Sequence, residues 1–134
     1  SSPDERQRRP PMQERAHAHE KLNYVEFPSA DLKATQAFFQ AAFGWSFVDY
    51  GPDYTAFSDQ GLDGGFYRAE LCSSTRHGAA LLVFYSRDLE ATEAQVLRAG
   101  GQGVKPSFAF PGGRRFHFTE PAGNEFAVWS DQGG

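Results

Sequence analysis

Asp31-Leu32-Lys33-Ala34-Thr35-Gln36-Ala37 occurs a second time, 57 positions on, as Asp88-Leu89-Glu90-Ala91-Thr92-Glu93-Ala94. At the same shift, Ala42-Phe43-Gly44 corresponds to Ala99-Gly100-Gly101. Asp is a good helix N-cap because its carboxylate accepts from the unpaired N–H groups of the first turn. Glycine ends helices because it enters the left-handed region without a steric cost. A helix start, body and stop repeated in one register signal duplication of a whole unit.

Working outward, each helix sits among strands. Leu22 to Phe27 alternates and is rich in Tyr, Val and Phe, so it reads as a strand. After Asp31, the residues Leu32, Thr35, Phe39 and Ala42 recur at helical spacing, with Phe38 and Phe43 widening the stripe. Trp45–Tyr50, Tyr54–Ser58 and Leu62–Leu71 read as strands, separated by Gly51-Pro52-Asp53 and Asp59-Gln60-Gly61. Gly64-Gly65 is expected to mark a bulge or bend in the last of these. Cys72 to Gly78 is a polar connector. The second unit repeats the order: strand 79–85, a helix with Leu89, Thr92, Val96 and Ala99 on its stripe, then strands 104–110, 114–119 and 124–130. Pro106 makes the strand 104–110 an edge or bent one. The expected fold is α+β, two tandem βαβββ modules (21–72 and 78–131) forming a cup-shaped mixed sheet with helices outside. Residues 1–20 read as a polar tail, and residues 21–131 as one domain.

Composition narrows the function. The chain has 134 residues and a net charge of −4, without a basic stripe; a nucleic-acid partner is not expected. No apolar run is long enough to span a membrane, and no signal-peptide pattern opens the chain. Cys72 is the only cysteine, so there is no disulfide framework, which fits a cytoplasmic location. Aromatics make up 15% of the residues and Phe alone counts 13. Such side chains build cores and also line pockets for flat or apolar ligands.

Strand parity separates two faces, because alternate side chains point to opposite sides. Val25, Phe27, Leu82, Phe84, Phe116, Phe118, Phe126 and Val128 form a wholly apolar set, assigned to the helix side. The opposite set is mixed: Tyr24, Glu26, Leu81, Val83, Tyr85, Arg115, His117, Glu125, Ala127 and Trp129. Polar and aromatic groups together on an inner face suit a small-molecule pocket. A face simply meeting water is the plain alternative.

The paired βαβββ pattern resembles the vicinal oxygen chelate superfamily, which includes glyoxalase I, extradiol dioxygenases, and fosfomycin- and bleomycin-resistance proteins. The resemblance runs from Tyr24 to Trp129. It rests on Val25-Glu26-Phe27-Pro28 before Asp31-Leu32, on Ala37-Phe38-Phe39 and Phe43-Gly44-Trp45, and on Gly64-Gly65. Pro111-Gly112-Gly113, Phe118-Thr119-Glu120-Pro121-Ala122-Gly123-Asn124 and Val128-Trp129 complete it. It implies the cup-shaped fold, a homodimer, and in enzymes of the group a divalent metal held by His, Gln or Glu. The corresponding positions here are Tyr24, Leu81, Ala127 and the stretch 66–68. Tyr, Leu and Ala do not build that site, so no metal and no other cofactor is expected.

Tyr24, Glu26, Arg115 and His117 are the polar cluster of cup parity. Glu26 is either a general base with His117 as acid partner, an anchor for a cationic or hydroxylated ligand, or one half of a structural pair with Arg115. The expected ligand-binding set is Tyr24, Glu26, Trp45, Tyr85, Arg115, His117 and Trp129. Trp45 belongs to a pocket rim or a dimer contact. The function expected is metal-independent binding of a small organic molecule. A metal-dependent lyase or dioxygenase with displaced ligands, and a non-catalytic interaction domain, are the alternatives.

Overall fold

Both helices form where the repeat places them, and the same hydrogen bonds start them. The computed structural model describes residues 17–132. Helix α1 is Leu32–Phe43 and α2 is Leu89–Arg98. The Asp31 carboxylate accepts from the Ala34 N–H at 3.1 Å, and Asp88 accepts from the Ala91 N–H at 3.2 Å. One turn earlier, Ser29 Oγ accepts from the Asp31 N–H and meets Thr35 Oγ1 at 2.9 Å. Ser86 does the same with Asp88 and Thr92, the hydroxyls 2.7 Å apart. Gly44 closes α1 at φ 71°, a conformation that favours glycine.

The strands form two four-stranded mixed sheets. The first contains β1 (Tyr24–Ser29), β2 (Val48–Asp49), β3 (Tyr54–Phe57) and β4 (Asp63–Arg68), in the spatial order β1-β4-β3-β2. The second contains β5 (Leu82–Tyr85), β6 (Gln102–Phe110), β7 (Gly113–Thr119) and β8 (Glu125–Ser130), in the order β5-β8-β7-β6. In each, the first strand runs parallel to the last and the other pairings are antiparallel. This is the tandem βαβββ arrangement of an α+β fold. Strand β6 lies at an edge and carries register irregularities on both sides of Lys105. Pro106, which has no N–H to donate, sits in this irregular stretch.

The apolar faces of the two sheets share one core. Phe27 of β1 stands 5.1 Å from Phe126 of β8, ring to ring. Phe39 of α1 packs 5.6 Å from Phe66 of the first sheet and 5.5 Å from Phe126 of the second. Phe43 stacks on Phe84 at 4.5 Å. All eight residues assigned to the helix side belong to this core or pack against it. Burial of aromatic side chains on this scale is the main stabilising contribution.

A polar bolt joins the modules. Glu120 is 2% exposed. It accepts from the Thr35 hydroxyl at 2.8 Å, the Ala122 N–H at 3.0 Å and the Asn124 side-chain amide at 2.6 Å. The same Asn124 amide donates to the Pro28 carbonyl at 2.8 Å. Burial pushes the Glu120 carboxyl above the ordinary range, and the donors from Ala122, Thr35 and Asn124 offset only part of that.

Two expectations are corrected. The strand expected over Trp45–Tyr50 shrinks to Val48–Asp49, because Trp45 turns into the core directly after the helix stop. Gly64-Gly65 is no bulge: both keep regular register with β1 and β3. Their role is space. A Cβ on Gly64 would overlap the Val25 carbonyl oxygen and the Phe57 ring, and a Cβ on Gly65 would overlap the Tyr54 hydroxyl.

Candidate functional site

On the first sheet, β1 and β3 bring three side chains into one chain of hydrogen bonds. The Tyr54 hydroxyl donates to Glu26 Oε2 at 2.9 Å. Its single proton is thereby used, so the Tyr24 hydroxyl, 2.6 Å away, donates to Tyr54. The order Tyr24 → Tyr54 → Glu26 ends on a carboxylate, and each donor polarises the next. Burial, followed by the bonds to Tyr24 and Glu26, holds the Tyr54 phenol well above its usual range. The Tyr54 ring reaches Glu26 by crossing Gly65, the strand partner of Glu26. Tyr24 is 46% exposed. This end of the network is therefore open to a ligand.

On the second sheet, β7 and β8 build a different chain. Arg115 Nε donates to His117 Nε2 at 3.2 Å, and Arg115 Nη2 lies 3.0 Å from the same nitrogen. His117 Nε2 is therefore an acceptor, which leaves the proton on Nδ1. Nδ1 lies 3.1 Å from Glu125 Oε2 and donates to it. The other carboxylate oxygen, Oε1, accepts from the Thr75 N–H at 2.8 Å and the Thr75 hydroxyl at 2.9 Å. Burial works to raise the Glu125 pKa. The bonds from Thr75 and His117 outweigh it and hold the carboxyl below the usual range. His117 and Glu125 are both buried. Beside them, Tyr85 meets Trp129 edge-on at 5.1 Å and donates to Asp131 at 2.6 Å.

The expected residues thus fall into two groups. Tyr24 and Glu26 meet on the first sheet, and Arg115 and His117 meet on the second, near Tyr85 and Trp129. Among the described residues, no hydrogen bond or ion pair links one group to the other. The expected partner for Glu26, a cation from Arg115 or His117, is replaced within one chain by the Tyr54 hydroxyl. Trp45 is a core residue, 5% exposed and stacked 4.4 Å from Phe39. Its ring also borders an apolar cavity of about 350 Å³ between the modules, lined further by Phe57, Leu82, Phe84 and Tyr85. Sequence reading missed Tyr54 and the role of Glu125. Parity along β3 would have placed Tyr54 on the face of Glu26. The β7–β8 register would have set Glu125 diagonal to His117.

The positions implied for a metal do not supply its donors. Tyr24 is committed to Tyr54, Leu81 and Ala127 have no donor atom, Phe66 is fully buried in the core, and Arg68 pairs with Asp53 at 3.0 Å. No cluster of three His, Cys, Asp or Glu side chains suited to an ion stands among the described residues. These positions do not supply the three protein ligands of a zinc-type site. Among the described residues, no helix is long and apolar enough to cross a membrane.

Comparison with known proteins places these features. The family model described as Glyoxalase/Bleomycin resistance protein/Dioxygenase superfamily matches residues 21–128. The anthracycline biosynthesis protein DnrV of Streptomyces peucetius is 29% identical over 124 residues, covering 79% of this chain. The chain spans 45% of the length of that curated relative. A glyoxalase-related enzyme from Fulvimarina pelagi superposes with a TM-score of 0.70 at 19% identity, covering 83% of this chain and 88% of the other. A mutant of the fosfomycin resistance protein FosX from Listeria monocytogenes, complexed with Mn(II) and 1S,2S-dihydroxypropylphosphonic acid, superposes with a TM-score of 0.69 at 18% identity. That match covers 84% of this chain and 90% of FosX. At these identities the structural likeness concerns the fold.

Proposed function

The chain belongs to the Glyoxalase/Bleomycin resistance protein/Dioxygenase superfamily, and we propose that it binds a small organic molecule without a resident metal, as a homodimer of the cytoplasm. The observation that carries this reading is the pair of ordered polar networks on the sheet faces turned away from the shared core. Each network stands among exposed or half-exposed aromatic side chains: Tyr24 and Tyr67 on one face, Tyr85, Phe108 and Trp129 on the other. Apolar and polar groups arranged this way suit ligand recognition. Left bare, the same surface is costly.

Within one chain the two faces form separate half-sites. A two-fold dimer is self-complementary, so residue contacts occur twice by symmetry. We place the Tyr24–Tyr54–Glu26 face of one protomer opposite the Arg115–His117–Trp129 face of its partner, so that each dimer has two equivalent cups. Glu26 then anchors a hydroxyl or cationic group of the ligand, and Tyr54 fixes the orientation of its carboxylate. DnrV is by name an anthracycline biosynthesis protein; a polycyclic aromatic compound is the first class to test.

A second reading makes Glu26 a general base and His117 its acid partner, in a lyase or dioxygenase. The buried Glu125 behind His117 favours it, because catalytic histidines are commonly oriented by such a carboxylate. It requires Arg115 to release Nε2, the nitrogen that would have to carry the proton.

The test is a thermal-shift screen of the full chain against polycyclic aromatic compounds, together with elemental analysis of protein purified without a His tag. A ligand that binds only the folded protein raises Tm. The expected result is a dose-dependent rise that Glu26→Gln abolishes or sharply weakens while the unliganded Tm stays unchanged. No response across the panel, or stoichiometric Ni, Zn, Mn or Fe, overturns the reading.

A further inference from the structure

Two basic side chains among the described residues are neither fully exposed nor fully buried: Arg114 and Arg115. Arg114 has its carboxylate, Glu90, at 2.5 Å. Arg115 has none. Its bonds run to the acceptor nitrogen of a neutral imidazole, which leaves a half-buried positive charge without a directly bonded anion. The nearest negative group along the network, Glu125, lies on the far side of His117 and is already shared with Thr75.

The surroundings strengthen the point. The Arg115 guanidinium lies 6.0 Å from the ring centroids of both Phe108 and Phe110, and Phe110 lies 6.3 Å from Trp129. A second cation, Lys105, stands 5.9 Å from Phe108. It too lacks a carboxylate among the described residues. Two positive groups flanking one aromatic bed form a local anion attractor on a chain whose net charge is −4. Nε and one N–H of Nη2 are directed to His117. Nη1 and the second N–H of Nη2 remain as an end-on pair, the fork that matches the two oxygens of a carboxylate.

We propose that Arg115 receives the carboxylate of an aromatic acid whose ring lies on the Trp129–Phe110–Phe108 bed. This rests on the small-molecule reading above and names the ligand class of its second half-site. Glu125 and His117 act as positioning residues. By occupying Nε and one side of Nη2, His117 turns the open fork of Arg115 toward the ligand. Lys105 adds longer-range attraction.

The experiment is calorimetric titration of the full chain with 2-naphthoate and with the neutral, isosteric 2-naphthamide, at low and high salt. Charge-assisted bonds are stronger than neutral ones, so the acid is expected to bind about tenfold more tightly than the amide or better. The preference is expected to shrink as salt screens it. R115Q removes the preference by bringing acid binding down to the level of the amide or below it, R115K retains part of it, and K105Q weakens acid binding by about threefold or less. A wild-type Tm for each variant shows that folding is intact. Equal binding of acid and amide, or a preference that survives in R115Q, overturns the inference and leaves the small-molecule reading standing. Binding of neither probe by a protein whose Tm responds to the aromatic panel overturns the inference alone. No response to any compound overturns both.

Discussion

Thr35 and Thr92 occupy the same place in the repeat and make the same bond to a preceding serine, Ser29 and Ser86 respectively. Beyond that bond they part. Thr35 is fully buried and passes its proton on to Glu120, in the other module. Thr92 is only partly buried and its network stops at Ser86. The helices differ likewise. Helix α1 buries six side chains between two sheets, whereas α2 buries Leu89 and Val96. Duplication supplied two equal units; packing made one of them the centre of the molecule. The outer faces diverged too, one toward tyrosines and a glutamate, the other toward Arg, His and a buried glutamate.

The largest effects should come from the shared core. Phe39→Ala removes a fully buried ring that touches both sheets, and chemical denaturation should show a loss of about 3–5 kcal/mol. Leu97→Ala, on the exposed side of α2, should stay within about 0.5 kcal/mol. If the two losses are comparable, the asymmetry between the helices is wrong. Next in size is the repeated threonine. Thr35→Val leaves Glu120 and Ser29 short of a partner in a buried setting and should cost about 1–3 kcal/mol. Thr92→Val should cost less than about 1 kcal/mol, since water can replace its bond. Equal costs would show that Thr35 has no special part in joining the modules.

The two buried glutamates give opposite pH responses. The folded-state pKa of Glu120 is raised, so the folded protein holds that proton more tightly than the unfolded one. From the ordinary glutamate pKa up to the raised one, its contribution makes stability fall as pH rises. The folded-state pKa of Glu125 is lowered. Its contribution is present above the ordinary glutamate pKa and is lost as pH falls through the folded value. Urea midpoints across the acid range should therefore lose a falling limb in Glu120→Gln and a rising limb in Glu125→Gln, each at most about 1.4 kcal/mol per pH unit. Slopes of the same sign would refute the assignment.

Much of the fold was legible because it is written in local chemistry. Asp31 and Asp88 cap helices, Gly44 ends one, and alternation separated the Phe-rich face from the mixed face. The site was less legible because its partners are set by register and by space. Glu26 finds Tyr54 only because β4 lies between β1 and β3 and carries a glycine where the ring must pass. His117 finds Glu125 through the pairing of His117 with Ala127, which a linear reading does not give. Trp45 follows a helix stop, where the sequence pattern does not set its direction; the aromatic space left by Phe39 and Phe57 draws it inward.

The account depends on two half-sites completed across a dimer. Subunit mixing tests this directly. E26Q and R115Q homodimers should each lose binding of the panel compound that raises Tm most. After subunits exchange at equal amounts, half of the dimers are mixed, and each mixed dimer has one cup with both wild-type residues. Titration should then recover about a quarter of the wild-type sites. No recovery, with exchange verified, would contradict the shared cup.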